Sequence, residues 1–256
     1  MNAVIIFALM IVYFLTAVIS VVTGGTSLIT VPVMMQCGIE PHVAVATNML
    51  ALVFLSLGGT APFIKSRAFR CGRLPWLVAL TLVGSALGSS LLVVIPTRSM
   101  PLVVSLAMIV VAVFSLASRN PGLTEDAEGA SRTMVILGYV STFILGIYGG
   151  FFSGGYVALL TAAYVAFFRM TFVEAMAVTK LLNAASSLVA TAVFAWEGLI
   201  AWKLGIALGV VSFAGAVLGA VLARRMGNVW LRRICVAAVV VLALKTLFHG
   251  VGWQNS

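Results

Sequence analysis

Residues 21–37 read VVTGGTSLITVPVMMQC, a pair of glycines that closes one apolar run, Asn2 to Val22, and opens a second, Ser27 to Cys37. Together the two runs are too long for one crossing of a bilayer and too short for two, since a span takes about 20 apolar residues. Glycine tolerates backbone conformations that end a helix. Non-helical backbone at membrane depth survives only where protein or a water-filled cavity covers it. The stretch therefore predicts a broken helix or re-entrant hairpin inside a membrane. The arrangement returns in the second half of the chain, where Thr133 to Tyr148 is followed by Ser153-Gly154-Gly155 and the short run Tyr156 to Phe168.

Around these stretches the composition is that of a membrane protein. Hydrophobic residues make up 62% and charged residues 8% of the 256 positions, whereas a soluble domain carries roughly a quarter charged residues. Further apolar runs long enough to span follow at Val43 to Ile64, Leu74 to Ile95, Pro101 to Ser118, Thr171 to Trp196, Leu199 to Ala223 and Val229 to Phe248, with no room for a soluble domain between them. The longest polar stretch, Arg119 to Arg132, contains Pro121, Gly122, Glu125, Asp126 and Glu128. It divides the chain into a first transmembrane repeat over 1–118, a cytoplasmic linker over 119–132 and a second repeat over 133–256. The formal charge of +9 would suit nucleic acid, but Lys and Arg cluster in short loops between apolar runs, as cytoplasmic loops do. No nucleic-acid partner is expected. Cys37, Cys71 and Cys235 are odd in number, lack metal-ligand spacing and read as unpaired thiols. The first run lacks the basic start and cleavage site of a signal peptide and is counted as structure. Trp76, Trp196, Trp202, Trp230 and Trp253 fall at or near run ends, where an indole suits the headgroup boundary.

The duplication extends beyond the glycines. Ala46-Thr47-Asn48-Met49-Leu50 answers to Val178-Thr179-Lys180-Leu181-Leu182, and Gly84-Ser85-Ala86-Leu87-Gly88 to Gly215-Ala216-Val217-Leu218-Gly219. Loop charge sets the relative orientation of the halves. Lys65, Arg67, Arg70 and Arg73 crowd one loop of the first half, while its counterpart over 197–203 is nearly neutral. Arg224, Arg225, Arg232 and Arg233 fill the next loop of the second half, where the first offers only Arg98. Since Lys and Arg mark the cytoplasmic side, equivalent loops lie on opposite faces and the repeats are inverted. Inversion needs an odd number of crossings per half: five if the short runs cross, three if they fold back. Five plus five is the arrangement taken, with both termini outside a plasma (inner) membrane and the acidic linker inside. The expected fold is thus an all-α polytopic membrane protein of two inverted-topology repeats of about five segments each. That is the architecture of many secondary transporters, which bind substrate near the midplane between the repeats.

Lys180 is the most informative residue. It lies roughly ten residues inside the run Thr171 to Trp196, near the bilayer centre at about 1.5 Å per residue, where a charge is costly and marks function by default. Lys180, Asn183, Ser187 and Thr191 recur at helical spacing and form one polar stripe facing the protein interior. Snorkelling to an interface is the competing account, as is a structural ion pair, but Glu40, Glu174 and Glu197 all sit near segment ends. A buried cation without an acid suits an anionic substrate. The glycine pairs Gly24-Gly25 and Gly154-Gly155 add helix N-termini, whose free N–H groups and positive dipole end favour anions; Thr26, Ser27 and Ser153 add hydroxyls. Thr47 and Asn48 stand where Thr179 and Lys180 stand in the other half, and Asn48 either lines the pocket or bonds a neighbouring helix. The pairs Gly84/Gly88 and Gly215/Gly219 read as close-packing faces.

Two other functions compete. Met34, Met35, Cys37 and His42 cluster within a few residues, and their donors suit a soft transition metal. A non-transporting membrane scaffold would use the broken helices for packing alone. Catalysis finds little support: Asp126 is the sole Asp and lies in the linker, and His42 and His249 lie near segment ends without a partner at motif spacing. No enzyme activity, cofactor or nucleotide site is expected. The expected partners are a small anion and the lipid bilayer, and a homo-oligomer is compatible with the sequence.

At Thr23-Gly-Gly-Thr-Ser-Leu-Ile-Thr-Val-Pro32, Ala44-Val-Ala-Thr-Asn-Met-Leu50, Gly146-Ile-Tyr-Gly-Gly-Phe-Phe-Ser-Gly-Gly155 and Thr179-Lys-Leu-Leu-Asn-Ala-Ala-Ser-Ser187 the chain resembles the sulfite exporter TauE/SafE family of membrane permeases. The resemblance covers both halves. It implies movement of sulfite, sulfonates or other small sulfur-containing or organic anions. Family members often carry a longer Gly run where Thr26 stands and Gly where Ser153 stands, so the lining here is more hydroxylated.

Overall fold

The computed structural model describes residues 3–61, 69, 72–100, 102–107 and 131–225. In chain order its α-helices are α1 (Ala3–Thr23), α2 (Ser27–Gln36), α3 (Pro41–Thr60), α4 (Leu74–Val94), α5 (Arg132–Phe151), α6 (Tyr156–Phe168), α7 (Phe172–Trp196) and α8 (Trp202–Arg225). A 3-10 turn, Thr97–Ser99, leads from α4 into helix over 102–107. No strand occurs among the described residues. The run Val229 to Phe248, Pro101 to Ser118 beyond residue 107, the linker before Ser131, Cys71, Cys235, His249, Trp230 and Trp253 lie outside them.

Helix limits have local causes. Glu40 caps α3 by accepting from the Val43 N–H, with Pro41 in the first turn, where its missing N–H costs nothing. Thr171 and Glu174 form a reciprocal capping box at the start of α7. Helices α2 and α7 both end on a glycine with positive φ, Gly38 at 82° and Gly198 at 69°, followed by a return bond: Ile39 N to Met34 O and Leu199 N to Phe194 O.

The short helices fold back. Tyr13, midway along α1, places its Oη 2.8 Å from Met34 Sδ on α2; Thr142 on α5 lies 3.0 Å from the Tyr164 hydroxyl on α6. Both pairs flank a glycine break symmetrically, so α1–α2 and α5–α6 are re-entrant hairpins. This departs from the expectation that the short runs cross: a ten-residue helix covers about 15 Å, half the hydrocarbon thickness, and each short run returns toward the face where its predecessor began.

Six helices among the described residues, α1, α3, α4, α5, α7 and α8, are long and apolar enough to cross a membrane. Helices α3 and α7 are the most buried, while α1 turns Val4, Phe7, Ile11, Leu15 and Ile19 outward at helical spacing. Lipid is as apolar as these side chains, so hydrophobicity does not press the helices together; close van der Waals approach does. Glycine supplies it. A Cβ at Gly84 or Gly88 would lie 2.8 and 1.9 Å from carbonyl oxygens of Phe143 and Ile147 on α5; one at Gly215 or Gly219 would lie 2.7 and 2.3 Å from those of Phe14 and Val18 on α1. Each half thus packs its α4-type helix on the hairpin of the other.

These contacts also give directions. Helix α8 runs with α3, from Thr47, whose Oγ1 accepts from the Ala201 N–H, to Gly58, against Phe213. The tight turn over 197–201 then sets α7 opposite to α3. Helices α1, α3 and α8 run one way, α4, α5 and α7 the other.

Candidate functional site

The hairpin tips meet. Gly24 takes φ +67°, and a Cβ there would lie 2.7 Å from the Ala158 nitrogen and 2.8 Å from Val157 Cβ; one at Gly154 would lie 2.8 Å from Leu28 Cδ2. A left-handed, side-chain-free residue is therefore required at Gly24 for the tips to touch. Beneath them lies a pocket lined by Gly24, Thr26 and Ser27 of the first tip, Ser153 and Val157 of the second, Leu52 and Leu55 of α3, and Lys180 and Asn183 of α7. Its free volume, about 10 Å³, matches a single water.

Lys180 is 1% exposed, and its Nζ donates to the Ser20 carbonyl at 3.0 Å. That oxygen also accepts from the Gly24 N–H at 2.8 Å and belongs to the last turn of α1, where a helix carries partial negative charge. No carboxylate pairs with Lys180 among the described residues: the ion pair found there joins Glu40 and His42, Glu174 caps the start of α7 and Glu197 its end. Outside the spans, burial pushes the Glu40 carboxyl up, but bonds from the Val43 N–H and His42 outweigh it and hold the group below its usual range. Asn183 Oδ1 accepts from Ser153 Oγ at 3.1 Å, and its Nδ2 donates to Ser56 Oγ. The three tip hydroxyls, of Thr26, Ser27 and Ser153, and the lysine thus converge on one small volume, with the first turns of α2 and α6 beside it.

The stripe Lys180, Asn183, Ser187 and Thr191 is buried throughout, while Leu188, about a quarter-turn round the helix, is 59% exposed. Ser187 and Thr191 have no hydrogen-bond partner among the described residues and lie along α7 beyond the pocket. Asn48 stands one layer behind: its Nδ2 donates to Ser27 Oγ at 2.9 Å, and its Oδ1 accepts from Thr30 at 2.7 Å and Tyr13 at 3.0 Å. It holds the Ser27 hydroxyl in place. Thr47 faces elsewhere, toward the start of α8. Gly25, Gly154 and Gly155 shape the tips without lining the pocket; Gly155, at φ 76°, caps α6.

Two of the four residues of the soft-metal reading, Met34 and His42, are engaged by other groups. The Met34 sulfur faces Tyr13, while both His42 ring nitrogens are engaged, Nδ1 with Glu40 and Thr97 and Nε2 with the Ile95 carbonyl at 3.0 Å. Among the described residues no group of three His, Cys, Asp or Glu is placed to hold a metal.

Sequence reasoning missed Ser56, Tyr13, Leu52, Leu55, Val157 and the Ser20 carbonyl. Ser56 lies two helical turns beyond Asn48, a signal open to inspection. A main-chain oxygen leaves no signal in sequence.

A family model described as the sulfite exporter TauE/SafE matches residues 9–246. Relatives include a probable membrane transporter protein of Haemophilus influenzae, 26% identical over 94% of this chain and 93% of that one. A probable membrane transporter protein, ORF9, of Sinorhizobium sp. is 26% identical over 91% of this chain and 89% of its own. The probable membrane transporter protein YfcA of Escherichia coli K12 is 26% identical over 94% and 88%. No solved structure matches the chain. With the family model spanning both hairpins and the six apolar helices, the chain is a multi-pass membrane transporter and belongs to the sulfite exporter TauE/SafE family.

Proposed function

We propose that this protein is a secondary transporter of a small anion, such as sulfite, a sulfonate or another sulfur-containing or organic anion, bound between the hairpin tips at Lys180. The observation that carries the reading is a lysine 1% exposed that, among the described residues, has no carboxylate beside it and donates to a helix-terminal carbonyl. Removing a charge from water is costly unless an opposite charge compensates it, and a transported anion does so reversibly. Lys180 supplies the charge, Asn183 and the hydroxyls of Ser27, Thr26 and Ser153 supply donors, and the starts of α2 and α6 supply positive dipole ends. A one-water volume is too small for any such anion, so binding separates the tips.

The halves are inverted repeats, a reading supported by the opposite directions of α3 and α7. The α3 start faces outward in the plasma (inner) membrane and both termini lie outside. Supporting this, Arg73, Arg132, Arg169 and Arg225 fall at the ends of helices on the α3 C-terminal face, whereas the other face carries Glu40 and Glu197 beside Arg98 and Lys203.

Proteoliposome flux tests the site. Lys180→Met keeps length and removes charge; sulfite or sulfonate flux is expected to fall at least about a hundredfold while the protein stays folded, and Lys180→Arg to keep part of it. Wild-type flux and affinity in Lys180→Met would place the site elsewhere.

A further inference from the structure

Among the described residues, the charges on the helices around Lys180 can be enumerated element by element. Helix α4 carries none, and α5 only Arg132 at its start. Helices α1 and α2 carry no charged side chain; α3 carries only His42, in its first turn, and α7 only Glu174 besides the lysine itself, also in its first turn. Helix α6 contributes the neutral tyrosines Tyr156 and Tyr164, the latter bonded to Thr142. The tips and α3 contribute hydroxyls, glycine and leucine. The C-terminal dipole of α1 is worth roughly half an elementary charge and compensates only part of an ammonium. An ammonium also offers three donors, and among the described residues Nζ meets one acceptor, Ser20 O at 3.0 Å.

A cation alone in this pocket is therefore costly, and so is an anion alone. Arriving together, each offsets the burial cost of the other, and such coupling is reciprocal. Resting on the anion reading above, we infer that anion and proton occupy the pocket as a pair, one proton on Lys180 Nζ for each monovalent anion, making the protein a proton–anion symporter. The bookkeeping closes. The amine lone pair takes a proton from the side where the anion enters, forming the ammonium; on the other side proton and anion leave together and the lone pair is restored. No net charge crosses with a monovalent anion.

The test uses the full-length protein in proteoliposomes with a trapped pH dye, with methanesulfonate and sulfite offered in parallel at fixed external pH. A tenfold proton gradient is expected to sustain about a tenfold gradient of the carried anion toward the alkaline side. For methanesulfonate, one proton is expected to accompany each anion, and a potassium–valinomycin potential is expected to leave the flux unchanged. Lys180→Arg, whose guanidinium keeps its charge, is expected to carry methanesulfonate without protons and with a flux that responds to potential. If that variant is inactive, the wild-type stoichiometry still decides. Wild-type flux indifferent to the proton gradient overturns the coupling and leaves the anion site standing. Absence of flux for both anions overturns the site and the coupling together.

Discussion

Ser153 shows how one residue trades local strain for chemistry. It holds φ 61°, a left-handed conformation adopted by only one other non-glycine among the described residues, Arg169. Such backbone costs about 1–2 kcal/mol for an L side chain and collects at functional sites. What the serine gains is a hydroxyl in the pocket, bonded to Asn183 at 3.1 Å. Ser153→Gly is expected to relieve the strain, stabilising the protein by up to about 1 kcal/mol in thermal unfolding, while weakening anion affinity several-fold because a donor is lost. Ser153→Ala keeps the strain and loses the donor, and is expected to be worse on both counts. Greater stability in the alanine variant than in the glycine one would contradict this account.

At the scale of elements, glycine and hydroxyl residues do what apolar burial does in water-soluble folds. The stripe of Gly84 and Gly88 lets α4 touch the α5 backbone, and Gly215 and Gly219 do the same between α8 and α1. Since each hairpin is clamped by a helix of the other half, an added side chain at this contact moves a tip as well as a helix. Gly219→Leu, whose Cβ would stand 2.3 Å from the Val18 carbonyl, is expected to destabilise by about 1–3 kcal/mol. It should also lower transport beyond the loss of folded protein. Gly72→Ala, with nothing within 4 Å, is the matched control and should stay within about 0.5 kcal/mol. Equal effects of the two on detergent unfolding and flux would remove the packing argument.

For the whole molecule the testable quantity is sidedness. Single cysteines at positions 68 and 228, in a background with Cys37, Cys71 and Cys235 replaced, are expected to react with a membrane-impermeant maleimide only from the cytoplasmic side. Labelling of 68 from outside, or of the two positions from opposite faces, refutes the topology.

Much of this was legible in the sequence because the bilayer constrains it. A backbone polar group in lipid must be satisfied within its own helix, so the limits of α4, α6 and α7 follow closely from apolar run length, and the polar stripe from Lys180 to Thr191 on an otherwise apolar helix fixed which side faces inward. The glycine pairs marked where helices break because few other residues allow it. What the tertiary structure decided is where the broken ends go. A ten-residue run reads the same whether it crosses or returns, and only the meeting of Tyr13 with Met34 and of Thr142 with Tyr164 settles that both hairpins return. Thr47 and Asn48 are adjacent polar residues of one motif, yet successive helical positions point about 100° apart, so one serves α8 and the other Ser27. The Lys180 partner is a main-chain carbonyl 160 residues away, and since every residue carries that same group, only the fold selects which one the lysine meets.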